Sequence, residues 1–200
     1  MKFLLLVFPL FFFACGSSTQ QTTDSFALDS AMKAATQQAP KKGSFYKSDN
    51  SLTDPDNHKG YDLMKNETLG KLKLGLDSKK AIAELGNPET KWAVELWGAD
   101  GLYHQTWTYE SAGIGLNMSG NDSLNMEIWS LNFYAPCTLK TSRNIGIGSS
   151  IDEVKAAYKE ELNETYSTYK SLVAGSVYGG IIFNFENWKV SSVFIGSAAE

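Results

Sequence analysis

The sequence is poor in the residues that carry chemistry. Its 200 residues hold two histidines, His58 and His104, and two cysteines, Cys15 and Cys137. A metal site wants more His or Cys at ligand spacing, so no metal is expected. No GxxxxGK[ST] or GxGxxG run occurs, and Gly146-x-Gly148 lacks the rest of a phosphate cradle. Asp152, Glu153, Glu160 and Glu161 read as solvated charges at helix ends, the first two also favouring a helix N-terminus. No nucleophile and base stand out, so neither a catalytic residue nor a cofactor is expected. Basic charge is short as well. Lys and Arg number 18 against 22 Asp and Glu, a net charge of −4. Nucleic acid wants a basic patch and is not an expected partner. The one long apolar run, residues 3–13, falls short of the roughly 20 residues a membrane-spanning helix needs.

That run has another meaning. It follows Lys2, has the length of a signal-peptide core, and ends Phe12-Phe13-Ala14-Cys15-Gly16-Ser17-Ser18. The ending resembles the lipobox of bacterial lipoproteins, with Phe12 where many such boxes have Leu. The resemblance implies cleavage before Cys15 and attachment of fatty acyl chains, palmitate among them, to that residue. Each buried CH₂ contributes about 0.8 kcal/mol, so two or more chains hold a protein on a membrane. The bland alternative is a secreted protein with a cysteine after its signal. Gly16, in place of Asp, resembles the outer-membrane address of enteric lipoproteins, on the periplasmic or the cell-surface face. Loss of the leader leaves 17 basic and 22 acidic side chains, a net −5. With Cys15 lipidated, Cys137 has no partner and reads as a buried thiol.

The chain then divides into a signal peptide (1–14), a lipidated flexible tether (15–60), and two units (61–137 and 138–200). The tether is rich in Ser, Thr, Gln, Asp, Lys and Asn, a composition that stays mobile. Its root-mean-square reach is roughly 35–40 Å.

Residues 75–88, GLDSKKAIAELGNP, read as a glycine turn, an N-cap at Asp77, a helix from Ser78 to Leu85, a C-cap at Gly86 and a stop at Pro88. Ala81, Ile82 and Leu85 share one side of that helix. The period then changes to two. Trp92, Val94 and Leu96 mark one strand; Tyr103, Gln105, Trp107 and Tyr109 a second; Ile114, Leu116 and Met118 a third; Trp129, Leu131 and Phe133 a fourth. The pattern recurs. Gly75 and Ala81 match Gly148 and Val154 at an offset of 73. Gly113-Ile114-x-Leu116-Asn117-Met118 matches Gly180-Ile181-x-Phe183-Asn184-Phe185 at 67, and Ile128-x-x-Leu131-x-Phe133 matches Val190-x-x-Val193-x-Ile195 at 62. Ser150 and Glu153 form a capping box for a second helix running to about Leu162. The expected fold is α+β: two tandem units, each a short helical segment packed on an antiparallel four-stranded meander.

Gly75, Asp77, Ala81, Leu85, Gly86, Pro88, Trp107 and Tyr109 together resemble the SmpA/OmlA type of small outer-membrane lipoprotein. The same unit in tandem is similar to the secreted β-lactamase inhibitor proteins. The second unit keeps Gly148, Ser150 and Val154 but has Glu161-Leu162-Asn163 where the family has Leu-Gly-x-Pro. The resemblance spans residues 70–197. It implies a non-catalytic module that binds another protein through its sheet face or loops. The inhibitors hold their units with disulfides, which this chain cannot form.

Aromatics supply the candidate binding residues: Trp92, Trp97, Tyr103, Trp107 and Trp129, with Trp and Tyr favoured at interface hot spots. A helix covers one sheet face only. Tyr103, Trp107 and Tyr109 are core if they face it, and Trp97 and His104 then flank the open face. His104 reads as a solvated strand residue. The expected function is a membrane-anchored, non-catalytic protein-binding or envelope-assembly module whose partner is an envelope or secreted protein. The alternative is a surface lipoprotein that binds a glycan or another small ligand.

Overall fold

The computed structural model of the chain describes residues 55–199, with side chains from Lys59 onward. The expected signal peptide, Cys15 and the tether up to residue 54 lie outside the described residues. The elements are α1 (Pro55–Asn66), α2 (Ser78–Leu85), β1 (Thr90–Lys91), β2 (Glu95–Leu96), β3 (Tyr103–Tyr109), β4 (Ile114–Gly120), β5 (Glu127–Tyr134), α3 (Ile151–Ala157), β6 (Ser171–Ser176), β7 (Gly179–Glu186) and β8 (Lys189–Gly196). The eight strands form one antiparallel sheet in the order β1-β3-β4-β5-β8-β7-β6, with β2 also on β3. The class is mixed α+β.

Alternation fixes the two faces. One row of cross-strand partners runs Trp107, Leu116, Leu131, Ile195, Ile181, Ala174. The next row of that face runs Tyr109, Ile114, Phe133, Val193, Phe183, Leu172. Every residue in both rows is buried. At about 1.5–3 kcal/mol for each large apolar side chain, these rows are the main hydrophobic investment of the fold. The row between them, Thr108, Gly115, Asn132, Phe194, Ile182 and Val173, points the other way and is more open.

The helices cover the apolar face. Asp77 caps α2 by accepting from Lys79 N–H at 2.8 Å, and Gly86 ends it at φ 81°. Ala81 of α2 is fully buried, and Tyr109 Oη donates to the Gly86 carbonyl at 3.2 Å. The Ser150–Glu153 capping box starts α3. Its C-cap Tyr158 is fully buried, 4.8 Å from the Phe183 ring between centroids. Helix α1 lies on the β6–β7 hairpin through glycine. A Cβ on Gly60 would stand 2.1 Å from the Gly179 carbonyl oxygen. Leu63, Met64 and Glu67 of the same stripe are buried.

Glu67 is the hub of the covered side. Its Oε1 accepts from Thr68 N–H (2.9 Å), Ser142 N–H (2.8 Å) and Ser142 Oγ; its Oε2 accepts from Tyr158 Oη (2.8 Å). Burial pushes the Tyr158 phenol pKa up. Arg143 lies over the Tyr158 ring and forms a bidentate pair with Glu161 at 2.8 and 2.9 Å. Cys137 is buried, and desolvation raises its thiol pKa.

Four expectations need correction. Helix α1 begins at Pro55, so residues 55–60 are helical rather than tether, and Gly60 is buried. The expected strand through Trp92, Val94 and Leu96 is broken into the two-residue stubs β1 and β2. Helix α3 stops at Ala157, not near Leu162, because Tyr158 turns into the core. The second half has three strands where four were expected; Leu162 makes a single bridge to Ala174 where a fourth would lie.

Candidate ligand-binding cleft on the open sheet face

The open face is organised by the stretch that fails to become a strand. Thr90 and Lys91 pair with Thr108 and Trp107, and Glu95 and Leu96 pair with His104 and Tyr103. Between these stubs the backbone is held by Trp92 N–H to the Thr106 carbonyl (3.0 Å) and by Gln105 Nε2 to the Trp92 carbonyl (2.8 Å). All residues from 91 to 100 are exposed, Trp92 at 63%.

A tight loop returns the chain to β3. Gly101, at φ 73°, donates to the Trp97 carbonyl, and Asp100 Oδ1 accepts from Leu102 N–H at 2.9 Å. Asp100 Oδ2 meets His104 Nε2 at 2.8 Å. The His104 ring stacks on Trp97, with centroids 3.8 Å apart and planes at 14°, and stands edge-on to Trp129 at 6.4 Å. His104 is therefore only 5% exposed, not the solvated strand residue expected. With Nε2 engaged by the Asp100 carboxylate, the ring's other polar atom is Nδ1. That atom is buried without a hydrogen-bond partner, as is the Oγ of its cross-strand neighbour Ser119.

Trp129 reaches this face through a register shift. Asn117 pairs with Ser130 and Met118 with Ile128, which leaves Trp129 as the extra residue of a bulge. Bulges re-aim side chains in this way. Next to it a polar chain crosses three strands: Thr106 Oγ1 donates to Asn117 Oδ1 at 3.0 Å, and Asn117 Nδ2 donates to Ser130 Oγ at 2.9 Å. The result is a cleft of about 440 Å³. Trp92, Trp97, Trp129 and Phe194 form its apolar walls; Thr106, Asn117, Ser130 and His104 form its polar floor, with Glu95 at the rim. That volume lies in the range of roughly 300–1,000 Å³ that holds small ligands.

Of the five aromatic candidates, three meet here: Trp92, Trp97 and Trp129. Trp107 does not. It sits in the core row, its Nε1–H donating to Gln105 Oε1 at 2.7 Å and Lys91 Nζ 4.0 Å over its ring. Tyr103 shares that parity, is half-buried opposite Gly120, and does not line the cleft. Phe194, Asn117 and the His104–Asp100 pair were missed. Phe194 lies between Val193 and Ile195, so strand alternation alone places it on the face opposite theirs.

A second cavity, of about 500 Å³, lies beside α1 against Glu67, Arg143 and Glu161. Arg143 and Glu161 pair with each other, and Glu67 is met by Thr68, Ser142 and Tyr158, so these groups are engaged within the fold. Among the described residues no group of three or more His, Cys, Asp or Glu could hold a metal ion, and no helix is long and apolar enough to cross a membrane. No protein-family model, curated protein or solved structure matches the chain.

Proposed function

We propose that this chain is a bacterial lipoprotein of SmpA/OmlA-like build, held at the outer membrane through lipid on Cys15. Its globular part is a non-catalytic binding module of two tandem units. Contacts that repeat at the offsets of the sequence matches support the tandem arrangement. Gly75 N–H donates to the Ile128 carbonyl and Gly148 N–H to the Val190 carbonyl, both at 2.8 Å. Asp77 bridges Glu127 as Ser150 bridges Lys189. Asn117 bonds Ser130 as Asn184 bonds Ser192, and a bulge follows each asparagine. Where the halves meet, Leu131 faces Ile195 and Phe133 faces Val193. The 62-residue offset carries each of these pairs onto the other, as a two-fold axis normal to the sheet requires.

The single observation that carries the binding role is the cleft, with three tryptophans gathered on a sheet face that no helix among the described residues covers. Exposed Trp92, Val94, Leu96 and Trp97 beside it suit a protein partner from the envelope or a secreted protein, since apolar anchors dominate such interfaces. The cleft's volume and its hydrogen-bonded amide and hydroxyl floor favour a second reading, a glycan. Pyranose rings present a C–H face to an aromatic ring and hydroxyls to polar neighbours.

Pull-down from solubilised envelope with the full chain, alongside tryptophan fluorescence against a glycan panel, tests both. The native chain captures a partner or changes its emission, and a Trp97→Ala/Trp129→Ala variant loses that response. Silence in both assays rejects the binding role. Mass spectrometry of the membrane-extracted chain tests the anchor: a mature N-terminus at Cys15 without acyl mass rejects it.

A further inference from the structure

The hairpin between β7 and β8 holds an anomaly. Glu186 pairs with Lys189 across a two-residue turn, and both central residues are left-handed, Asn187 at φ 50° and Trp188 at φ 64°. Turns of this kind ordinarily take Asn-Gly, because the second position suits a residue without Cβ. Asn187 fits that rule and Trp188 breaks it. A bulky side chain at positive φ is a true outlier. The indole is 66% exposed, so the fold packs only a minor part of it. Strain that folding does not need points to a contact made with something else.

The surroundings repeat those of the first cleft. Trp188 and Tyr169, the latter 71% exposed, flank Asn184 and Ser192 in a cavity of about 850 Å³. Asn184 Nδ2 donates to Ser192 Oγ at 3.0 Å, matching Asn117 and Ser130 at 2.9 Å. Both pairs lie on the face opposite the buried rows. Ser192 faces Tyr134, four residues along β5 from Ser130, and Asn184 lies three strands across from Asn117. At about 4.8 Å per strand and 3.3 Å per residue, the two asparagines stand about 20 Å apart.

We propose that Tyr169, Trp188, Asn184 and Ser192 form a second carbohydrate-binding cleft, and that the two clefts together grip one neutral polysaccharide chain. This rests on the glycan reading of the first cleft. Aromatic rings offer an electron-rich face to the C–H side of a sugar ring. An amide with both donor and acceptor suits hydroxyl edges. Two alike clefts on one face fit a ligand that repeats, since a polymer presents the same unit to both. The second cleft is lined by one basic and one acidic side chain, Lys170 and Glu186, with Lys170 Nζ 5.6 Å from the centre of the Tyr169 ring, and the chain is net acidic, so a polyanion is disfavoured.

Affinity electrophoresis of the full chain through gels containing a neutral glucan, mannan or xylan tests the proposal, with an anionic polysaccharide as control. At least one neutral polymer is expected to retard the native chain. Trp188→Gly removes the ring and relieves the turn, so this variant should melt higher yet bind that polymer on the order of tenfold or more weakly, the loss of one arm of a bivalent contact. Tyr169→Ala should weaken it in the same sense. A Trp188→Gly chain that binds as the native one does, while Trp97→Ala loses binding, overturns the second cleft and leaves the first standing. No retardation by any neutral polymer overturns both, as does capture of a protein partner in place of polysaccharide.

Discussion

Replacing Glu67 is the most informative perturbation of the fold. Its side chain is 2% exposed, and its two oxygens serve four donors from three separate stretches of chain: Thr68, Ser142 twice, and Tyr158. Glu67→Ala strands those donors and opens a void. Each buried donor left unmet costs about 1–3 kcal/mol. The adjoining cavity admits water, which can reach some of them, so the expected loss is about 3–4 kcal/mol. Glu67→Gln keeps the shape. Its amide oxygen can serve Thr68 and Ser142 while Tyr158 turns its hydroxyl to accept from the amide. Only charge assistance is lost, about 1–2 kcal/mol. Urea unfolding followed by circular dichroism reads both variants through their midpoints. At 2–4 °C per kcal/mol for a chain of this size, Glu67→Ala should also lower the melting temperature by roughly 10 °C. A Glu67→Ala loss under about 1 kcal/mol, or a Gln variant as damaged as the Ala variant, refutes the hub.

Three further outcomes follow from the geometry. Gly60→Ala in α1 should destabilise by at least about 2 kcal/mol despite alanine's better helix propensity, because its Cβ would collide with the Gly179 carbonyl; a stabilised variant in a thermal melt would remove the glycine contact from the account. Trp188→Gly should stabilise by about 1–2 kcal/mol through relief of the left-handed backbone, and a lower melting temperature would contradict it. Glu161 has its pKa held below the ordinary carboxylate value by its hydrogen bond to Arg143. Its contribution is thus present above the ordinary carboxylate range and is lost as pH falls through the lowered value. Glu161→Gln should flatten the acid limb of a stability–pH curve, and an unchanged limb would assign that limb to other carboxylates.

Local chemistry was legible in the sequence where a residue's job is local. Asp77, Gly86 and the Ser150–Glu153 box cap the helices as expected, because capping depends on neighbours within four positions. The parity of Trp107, Leu116 and Leu131 was also readable. Helix α1 was not. Gly60, Leu63, Met64 and Glu67 follow helical spacing, but glycine reads as a turn and glutamate as surface until their distant partners are known. The alternation of Trp92, Val94 and Leu96 was real, yet period says nothing about whether a strand finds a neighbour along its full length. The cleft needed tertiary knowledge twice over. A bulge swings Trp129 outward, and Phe194 arrives from the far half of the chain. His104 became buried because Trp97 folds back onto it and Trp129 stands against its edge.

The join between β5 and β8 also sets a limit on growth. The pairing stays the same when its two sides are exchanged, the property that makes a two-fold contact self-terminating. Each closing strand has given its edge to the other, and the outer border at β6 is capped by Glu161, Leu162 and Asn163. A strand appended after β8 would find no vacant edge on β5 or β8, nor along the covered stretch of β6. Unlike the end of a solenoid, the last strand of this sheet lies inside it, between β5 and β7, rather than at its border.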